Sequence, residues 1–180
     1  MNTTTWNADF AAYAKMRILI VDNEPANVAL LEDMLSDQSY VHVKSTTDSR
    51  EVVELCSEFD PDLILLDLFM PHMDGFTVLE ALSGNRTKVF LPIIVLTADV
   101  NEETKLRALN LGATDFLNKP LDHVEVLLRI RNMLETRRIH QLLENRRAAL
   151  ENAIAARAPE LAPRKPSSVR SWVPAGNADT

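Results

Sequence analysis

The chain has 180 residues, 46% of them hydrophobic and 25% charged, values that fit one globular α/β domain with added segments and argue against a mostly disordered chain. The formal net charge of −7 disfavours sequence-independent binding of nucleic acid, which depends on a basic surface. The charge therefore predicts no direct nucleic-acid contact. The single cysteine cannot form an internal disulfide, and no apolar run approaches the roughly 20 residues that cross a bilayer, so we expect a cytoplasmic protein without membrane contact.

Three short segments are almost entirely apolar, and each leads into a polar residue. They are residues 18–21 before Asp22, residues 63–66 before Asp67 and residues 93–96 before Thr97. Continuous runs of leucine and β-branched residues of this length are typical of parallel strands that are covered on both faces. Two weaker strands are predicted at residues 40–45 and 114–117.

The segments between the strands show helical periodicity and helix-start signals, such as Pro25 in a first turn and the carboxylate of Asp48. Helices are predicted to follow these two residues and to cover about residues 75–83, 101–111 and 121–157. A strand followed by a helix therefore occurs five times. This alternation predicts a doubly wound α/β fold, in which a five-stranded parallel sheet has helices on both faces and all strand C-termini on one edge.

The last predicted helix continues past the end of the domain that we expect at residues 16–134. Residues 121–157 contain no proline or glycine, and Ile139, Leu143 and Leu150 keep a heptad-like spacing. An uncapped helix of this length indicates a connector or coiled coil at residues 135–157. We therefore expect an extended C-terminal helix through which two chains pair as a homodimer.

The two ends of the chain have a different character. Residues 158–180 are rich in proline and serine, which predicts a disordered tail. In the N-terminal extension, residues 1–15, the aromatic residues Trp6, Phe10 and Tyr13 recur at helical spacing. That pattern fits a short docked helix or an untethered terminus, and the sequence leaves both open.

Polar residues follow the first, third, fourth and fifth strands, and the parallel sheet brings them to one edge. They are Asp22 and Asn23, Asp67, Thr97 and Lys119. Clustered carboxylates repel each other unless a cation neutralises them, and Mg²⁺ takes one or two carboxylates together with phosphate oxygen. A carboxylate nucleophile, a metal, a hydroxyl and a lysine suit phosphoryl transfer to a carboxylate. Dinucleotide and P-loop chemistry is disfavoured, because no glycine-rich phosphate loop occurs.

Four motifs in this order carry a resemblance to a known family. They are ILIVDNEP at 18–25, LDLFMPHMDG at 66–75, LTA at 96–98 and KP at 119–120. Together they resemble the response-regulator receiver domain of two-component signalling, over about residues 16–134. The resemblance implies a flavodoxin-like sheet with strand order 2-1-3-4-5.

The resemblance also implies a role for each residue at the strand ends. Asp67 is the implied phosphoacceptor, which takes a phosphoryl group from a histidine kinase or phosphotransfer protein, with Mg²⁺ as cofactor. Such a domain is not a conventional enzyme, since it catalyses only its own phosphorylation and dephosphorylation. The resemblance also implies that it signals through the face formed by helix four, strand five and helix five. The other implied roles are metal binding by Asp22 (directly or through water), Asn23, Asp67 and the Phe69 carbonyl, phosphoryl contact by Thr97, charge neutralisation by Lys119, and switch movement of Thr97 and Phe116.

Three positions depart from the usual family pattern. Asn23 stands where aspartate is usual; asparagine keeps a carbonyl oxygen but lacks the charge, so we predict weaker Mg²⁺ binding than in Asn23→Asp. Phe69 is bulky and apolar where many relatives carry a smaller or polar residue, and we predict that it hinders the hydrolytic water and prolongs the life of phosphorylated Asp67. Phe116 keeps the aromatic ring of the usual tyrosine but lacks its hydroxyl.

Two other interpretations compete with a working phosphoacceptor. A degenerate receiver, disabled by Asn23, would serve as a phosphorylation-independent dimerisation or docking module. A phosphohydrolase of the haloacid-dehalogenase kind would use an Asp-x-Asp motif, but Phe69 occupies its second acidic position. The long helix resembles connectors that join receivers to cyclic-dinucleotide enzymes or kinases. No such domain is present, so we expect a truncated or a stand-alone regulator.

Overall fold

A computed structural model of the chain describes residues 13–84, 90–99 and 101–157. The chain divides into two compact units, Met1–Leu142 and Leu143–Thr180. The predicted tail and all but the end of the N-terminal extension lie outside the described residues, and the predicted boundaries of the domain and the connector stay predictions. None of the described helices is long and apolar enough to span a bilayer.

Five strands form one parallel sheet, and helices follow them in alternation. The strands are β1 Arg17–Val21, β2 His42–Thr46, β3 Leu63–Asp67, β4 Ile93–Thr97 and β5 Asp115–Asn118. The sheet order is β2-β1-β3-β4-β5, which confirms the predicted flavodoxin-like topology. The helices are α1 Pro25–Asp37, α2 Val52–Phe59 (preceded by the 3₁₀ turn Ser49–Glu51), α3 Gly75–Gly84, α4 Glu102–Asn110 and α5 His123–Arg157.

Successive side chains of the central strands point to opposite faces of the sheet and form two cores. Ile18 and Ile20 of β1 pack in the core that includes residues of α1 and α5. Leu19 and Val21 pack in the opposite core, with residues of α2, α3 and α4. Every residue of β3 and β4 is buried. Coverage on both faces explains why these strands are continuous apolar runs rather than alternating ones.

The weaker predicted strands are the two edges of the sheet. β2 and β5 are partly exposed, so fewer of their residues need to be apolar. β2 begins at His42 rather than residue 40, because the Tyr40 N–H donates to the Leu35 carbonyl at the end of α1. The last helix begins at His123 rather than residue 121, after Asp122 accepts a hydrogen bond from the Glu125 N–H at 2.9 Å.

A buried polar network holds the middle of α5 against the N-terminal edge of the sheet. The Asp62 carboxylate accepts hydrogen bonds from Gln141 Nε2 at 2.8 Å and from the Arg17 N–H at 3.1 Å. It also pairs with Arg137 Nε at 3.4 Å, and both side chains are almost fully buried. Arg137 donates as well to the Phe90 carbonyl. These bonds fix α5 beyond its last buried apolar residue.

Candidate functional site

The polar residues that follow the strands meet at one edge, as predicted. Asp67 ends β3 and Thr97 ends β4, and the ladders pair Asp67 with Leu96 and Thr97 with Asn118. Parallel strands in the order β1-β3-β4-β5 place the residues after each strand side by side. Lys119 follows β5, and its N–H donates to the Thr97 carbonyl at 2.8 Å.

Lys119 joins two buried carboxylates at the centre of this edge. Its Nζ lies 2.8 Å from Asp22 Oδ2 and 3.0 Å from Asp67 Oδ1. Asp22 is fully buried and Asp67 nearly so, while the Lys119 side chain is 20% exposed. Lys119 lies 97 positions after Asp22 in the sequence, and the sheet brings the two together beside Asp67. One ammonium thus balances one of two negative charges.

Burial and charge shift the pKa values of this group in ways that suit a reactive carboxylate. Burial raises the pKa of Asp67 and outweighs the opposing effects of Lys119 and of the Phe69 N–H. Burial alone would lower the pKa of Lys119, but its hydrogen bonds to Asp22 and Asp67 outweigh that effect and raise the pKa. Lys119 therefore stays an ammonium, and Asp67 is more basic than an exposed aspartate.

The remaining hydrogen bonds of Asp22 are satisfied within the protein. Oδ1 accepts the Glu24 N–H at 2.9 Å, and both carboxylate oxygens lie 3.2 Å from Asn27 Nδ2. Together with Lys119, these donors hold Asp22 in place beside the start of α1. Asp22 keeps little lone-pair capacity for a direct metal bond, which favours contact with a cation through water.

Oxygen atoms converge beside Asp67, where a magnesium ligand set was predicted. The Asn23 amide lies 3.1 Å from Asp67 Oδ2 and 3.2 Å from the Phe69 carbonyl oxygen. Adjacent ligand oxygens of octahedral Mg²⁺ lie about 3.0 Å apart, given bonds of about 2.1 Å. The spacing therefore fits a partial magnesium shell. In the described part of the chain, no three His, Cys, Asp or Glu side chains cluster to hold a metal, so this shell depends on amide and carbonyl oxygens.

The two predicted switch residues lie at the β4–β5 end of the site. Thr97 is buried, and its hydroxyl accepts the Asp99 N–H at 3.0 Å, so it presently orders the loop before α4. Phe116 pairs with Val95 in the sheet and is half-buried against the core on the α2–α4 face. The Lys119–Pro120 peptide bond that follows is cis.

Gly75 supports the phosphoacceptor strand in a way that the sequence did not reveal. A Cβ at Gly75 would lie 2.5 Å from the Asp67 carbonyl oxygen and 2.7 Å from Leu68 Cα. The Gly75 N–H also donates to the Leu68 carbonyl at 2.9 Å. An Asp-Gly pair by itself indicates only a turn, whereas the close packing behind Asp67 depends on the path of the loop that returns from β3.

The family model described as "Response regulator receiver domain" matches residues 18–131 of the chain. This chain is a receiver domain protein. Apart from Arg17 at the start of β1, the match spans all five strands and the site at their C-terminal edge, which agrees with the resemblance seen in the sequence motifs.

Relatives and solved structures agree with this assignment. The receiver is 37% identical over 133 residues to the response regulator PleD of Caulobacter vibrioides. The aligned stretch covers 74% of this chain and 29% of PleD. It is 38% identical over 126 residues to RpaA of Synechocystis sp., named a DNA-binding transcriptional regulator, covering 69% of this chain and 52% of RpaA. The structure of the Vibrio cholerae chemotaxis protein CheY4 matches with a TM-score of 0.62 at 28% identity, over 66% of this chain and 98% of CheY4. The chain therefore spans between about a third and a half of these two curated relatives.

Proposed function

We propose that this receiver is a phosphoacceptor switch in which Asp67 takes a phosphoryl group from a phosphohistidine. The observation that carries the proposal is the buried Asp67 carboxylate, with Lys119 Nζ at 3.0 Å from one oxygen and the Asn23 amide at 3.1 Å from the other. A basic, buried carboxylate beside a fixed ammonium suits in-line attack on phosphorus, because the ammonium offsets charge on the phosphoryl oxygens. The donor is a sensor histidine kinase or phosphotransfer protein.

Mg²⁺ is the proposed cofactor, and the residues beside Asp67 fit it. Asp67, Asn23 and the Phe69 carbonyl would bind it directly, and Asp22 through water. Bound Mg²⁺ supplies positive charge against the phosphoryl oxygens. The receiver's own residues do the rest: Asp22 keeps Lys119 in position, and Lys119 holds Asp67.

Thr97 and Phe116 are the proposed switch. The Thr97 hydroxyl would leave the Asp99 N–H and donate to the phosphoryl group. Phe116 would then move into the space that the Thr97 hydroxyl has vacated. The half-buried position of Phe116 supports this, since a fully packed ring would have nowhere to move. The movement would alter the face formed by α4, β5 and α5.

A single incubation tests the phosphoacceptor role. Wild type is mixed with a small-molecule phosphodonor and Mg²⁺, and intact mass is recorded beside Asp67→Ala and beside wild type in EDTA. We expect the mass of one phosphoryl group on wild type with Mg²⁺ and none on Asp67→Ala. An unmodified wild type would instead support a degenerate receiver, and steady release of phosphate from unrelated phosphomonoesters would support a phosphohydrolase.

We also propose that two chains pair through α5. In the unit Leu143–Thr180, the exposed residues Leu143, Leu150 and Ile154 lie on one side of the helix, and Leu150 is 65% exposed. Such an apolar stripe on an otherwise polar helix is typical of a helix-pairing seam. Leu150→Glu is expected to give a monomer in analytical ultracentrifugation. Ala148→Glu, on the opposite side of the same helix, serves as the control and should leave the mass unchanged; equal behaviour of both variants contradicts this proposal.

A further inference from the structure

The Asn23 side chain has an unusual setting for a metal ligand. The side of its amide that points into the site meets two acceptors, Asp67 Oδ2 and the Phe69 carbonyl oxygen. An amide oxygen there would face acceptors and find no hydrogen bond. With the nitrogen on that side, the amide donates to both acceptors, at 3.1 and 3.2 Å. The hydrogen-bond network therefore favours the orientation that presents nitrogen.

The two amide orientations suit two different states of the same site. With the nitrogen inward, Asn23 supplies the two donors that the neighbouring oxygens need. With the oxygen inward, that oxygen would lie 3.1 Å from Asp67 Oδ2 and 3.2 Å from the Phe69 carbonyl oxygen, distances that fit adjacent ligands of an octahedral magnesium shell. A half-turn about the last side-chain bond exchanges the two arrangements. Aspartate, which has no donor, offers only the second.

The inward nitrogen also completes the hydrogen bonding of the phosphoacceptor. Lys119 Nζ lies 3.0 Å from Asp67 Oδ1, and the Asn23 amide then donates to Oδ2. Both carboxylate oxygens therefore have a donor without a bound metal ion. In this chain, the single ammonium faces two carboxylates rather than the three that an aspartate at position 23 would create, so the metal-free site is less repulsive.

We propose that the Asn23 amide is a reversible latch: in the metal-free receiver its nitrogen occupies a ligand position of the magnesium shell and donates to Asp67 Oδ2, and a divalent cation turns the amide so that its oxygen takes that position. This rests on the proposed function, because it presumes that the site takes Mg²⁺. The latch stabilises the metal-free receiver. The apparent affinity for Mg²⁺ equals the intrinsic affinity multiplied by the fraction of metal-free chains whose amide already presents its oxygen.

The first test measures the amide itself by NMR in EDTA and during a titration with Mg²⁺. The Asn23 NH₂ signals are assigned by their loss in Asn23→Asp. We expect side-chain protons protected from solvent exchange in EDTA, and a loss of protection as Mg²⁺ saturates. Protons that exchange freely in EDTA, or that stay protected in saturating Mg²⁺, overturn the latch.

The second test compares variants by urea unfolding in EDTA and by calorimetric titration with Mg²⁺. Asn23→Ala removes the amide without adding charge, so its folded-to-unfolded ratio in EDTA should fall roughly tenfold, as expected for the loss of hydrogen bonds to a buried carboxylate and carbonyl. Its Mg²⁺ affinity should stay within about threefold of wild type. The loss of the amide oxygen as a ligand weakens binding, but the loss of the inward amide nitrogen, which competes with Mg²⁺, strengthens binding. Unchanged stability in EDTA, or a larger fall in affinity, means that Asn23 is an ordinary ligand.

Asn23→Asp separates the latch from simple metal binding. It should be less stable than wild type in EDTA and should bind Mg²⁺ more tightly; equal stability in EDTA overturns the latch. Failure of the proposed function looks different. An amide that turns with Mg²⁺ in a chain that phosphodonors leave unmodified keeps the latch and removes the phosphoacceptor role, whereas a phosphorylated Asp67 with an unprotected amide in EDTA does the reverse.

Discussion

Replacement of Gly75 by alanine is expected to strain the backbone that carries the phosphoacceptor. The new Cβ would lie 2.5 Å from the Asp67 carbonyl oxygen, whereas ordinary contacts begin at 3.4 Å, so about 0.9 Å of movement is needed. The atoms in the way belong to the backbone of Asp67 and Leu68 and cannot rotate aside. Overpacking typically costs about 1–3 kcal/mol, and alanine gains up to about 1 kcal/mol over glycine in a helix. Because backbone atoms are the obstacle, we expect a cost near the upper end of that range, and therefore a net loss of about 2 kcal/mol in the free energy of unfolding.

Gly84, at the other end of α3, provides a matched control. A Cβ there meets nothing within 4 Å, so Gly84→Ala should be neutral or slightly stabilising. Urea unfolding monitored by circular dichroism compares the two variants under the same conditions. Because the movement falls on Asp67, Gly75→Ala should also slow phosphorylation by a small-molecule donor. Equal stability of the two variants would refute the argument from close packing.

Three further changes test other parts of the receiver. Asp62→Ala leaves the buried Arg137 without its carboxylate and should lower the free energy of unfolding by about 3 kcal/mol; a loss below about 1 kcal/mol in urea unfolding would contradict the network. Asp74→Ala removes bonds to the Thr77 N–H and hydroxyl, at 2.8 and 2.7 Å, and should cost about 1 kcal/mol at neutral pH. These bonds hold the pKa of Asp74 below its usual value. The stability that they give is therefore present above the pKa of Asp74 in the unfolded chain and is lost as pH falls through its pKa in the folded chain. A stability difference between Asp74→Ala and wild type that persists in acid speaks against this cause. Phe69 is 54% exposed and follows Asp67 by two positions, and it should slow hydrolysis of the acyl phosphate. Phe69→Asn should therefore shorten the lifetime of the acyl phosphate several-fold in timed intact-mass measurements. An equal or longer lifetime in the variant would exclude that role.

The central strands and the strand-end residues were predictable because a local signal determines them. β1, β3 and β4 are buried on both faces, and only continuous apolar runs satisfy that condition. Once the sheet is parallel, the residue after each strand must lie at the same edge. The edge strands were predicted less exactly, because partial exposure relaxes the demand for apolar residues and hydrogen bonds at the end of α1 compete for Tyr40.

The contacts that sequence patterns did not reveal depend on residues far apart in the chain. Asp62 meets Arg137 and Gln141 only after α5 has crossed the sheet, and no periodicity links these positions. The orientation of the Asn23 amide likewise follows from which atoms the β3–α3 loop turns towards it. The sequence determines the residue types at the site, but the donor and acceptor directions depend on the three-dimensional path of that loop.

The hydrogen bonds around Thr97 indicate where a signal from the site would go first. The Thr97 hydroxyl accepts the Asp99 N–H, and the Asp99 carboxylate accepts the Asn101 N–H at 2.9 Å and the Thr104 hydroxyl at 2.6 Å. Thr104 lies in the first turns of α4, so these bonds connect the site directly to that helix. Under the proposed switch, a Thr97 hydroxyl that turns to the phosphoryl group leaves the Asp99 N–H without its acceptor, and the loop must rearrange to satisfy it. The start of α4 would therefore respond to the loss of the hydrogen bond between the Asp99 N–H and the Thr97 hydroxyl. Phe116 would respond only by moving into the space that the Thr97 hydroxyl leaves.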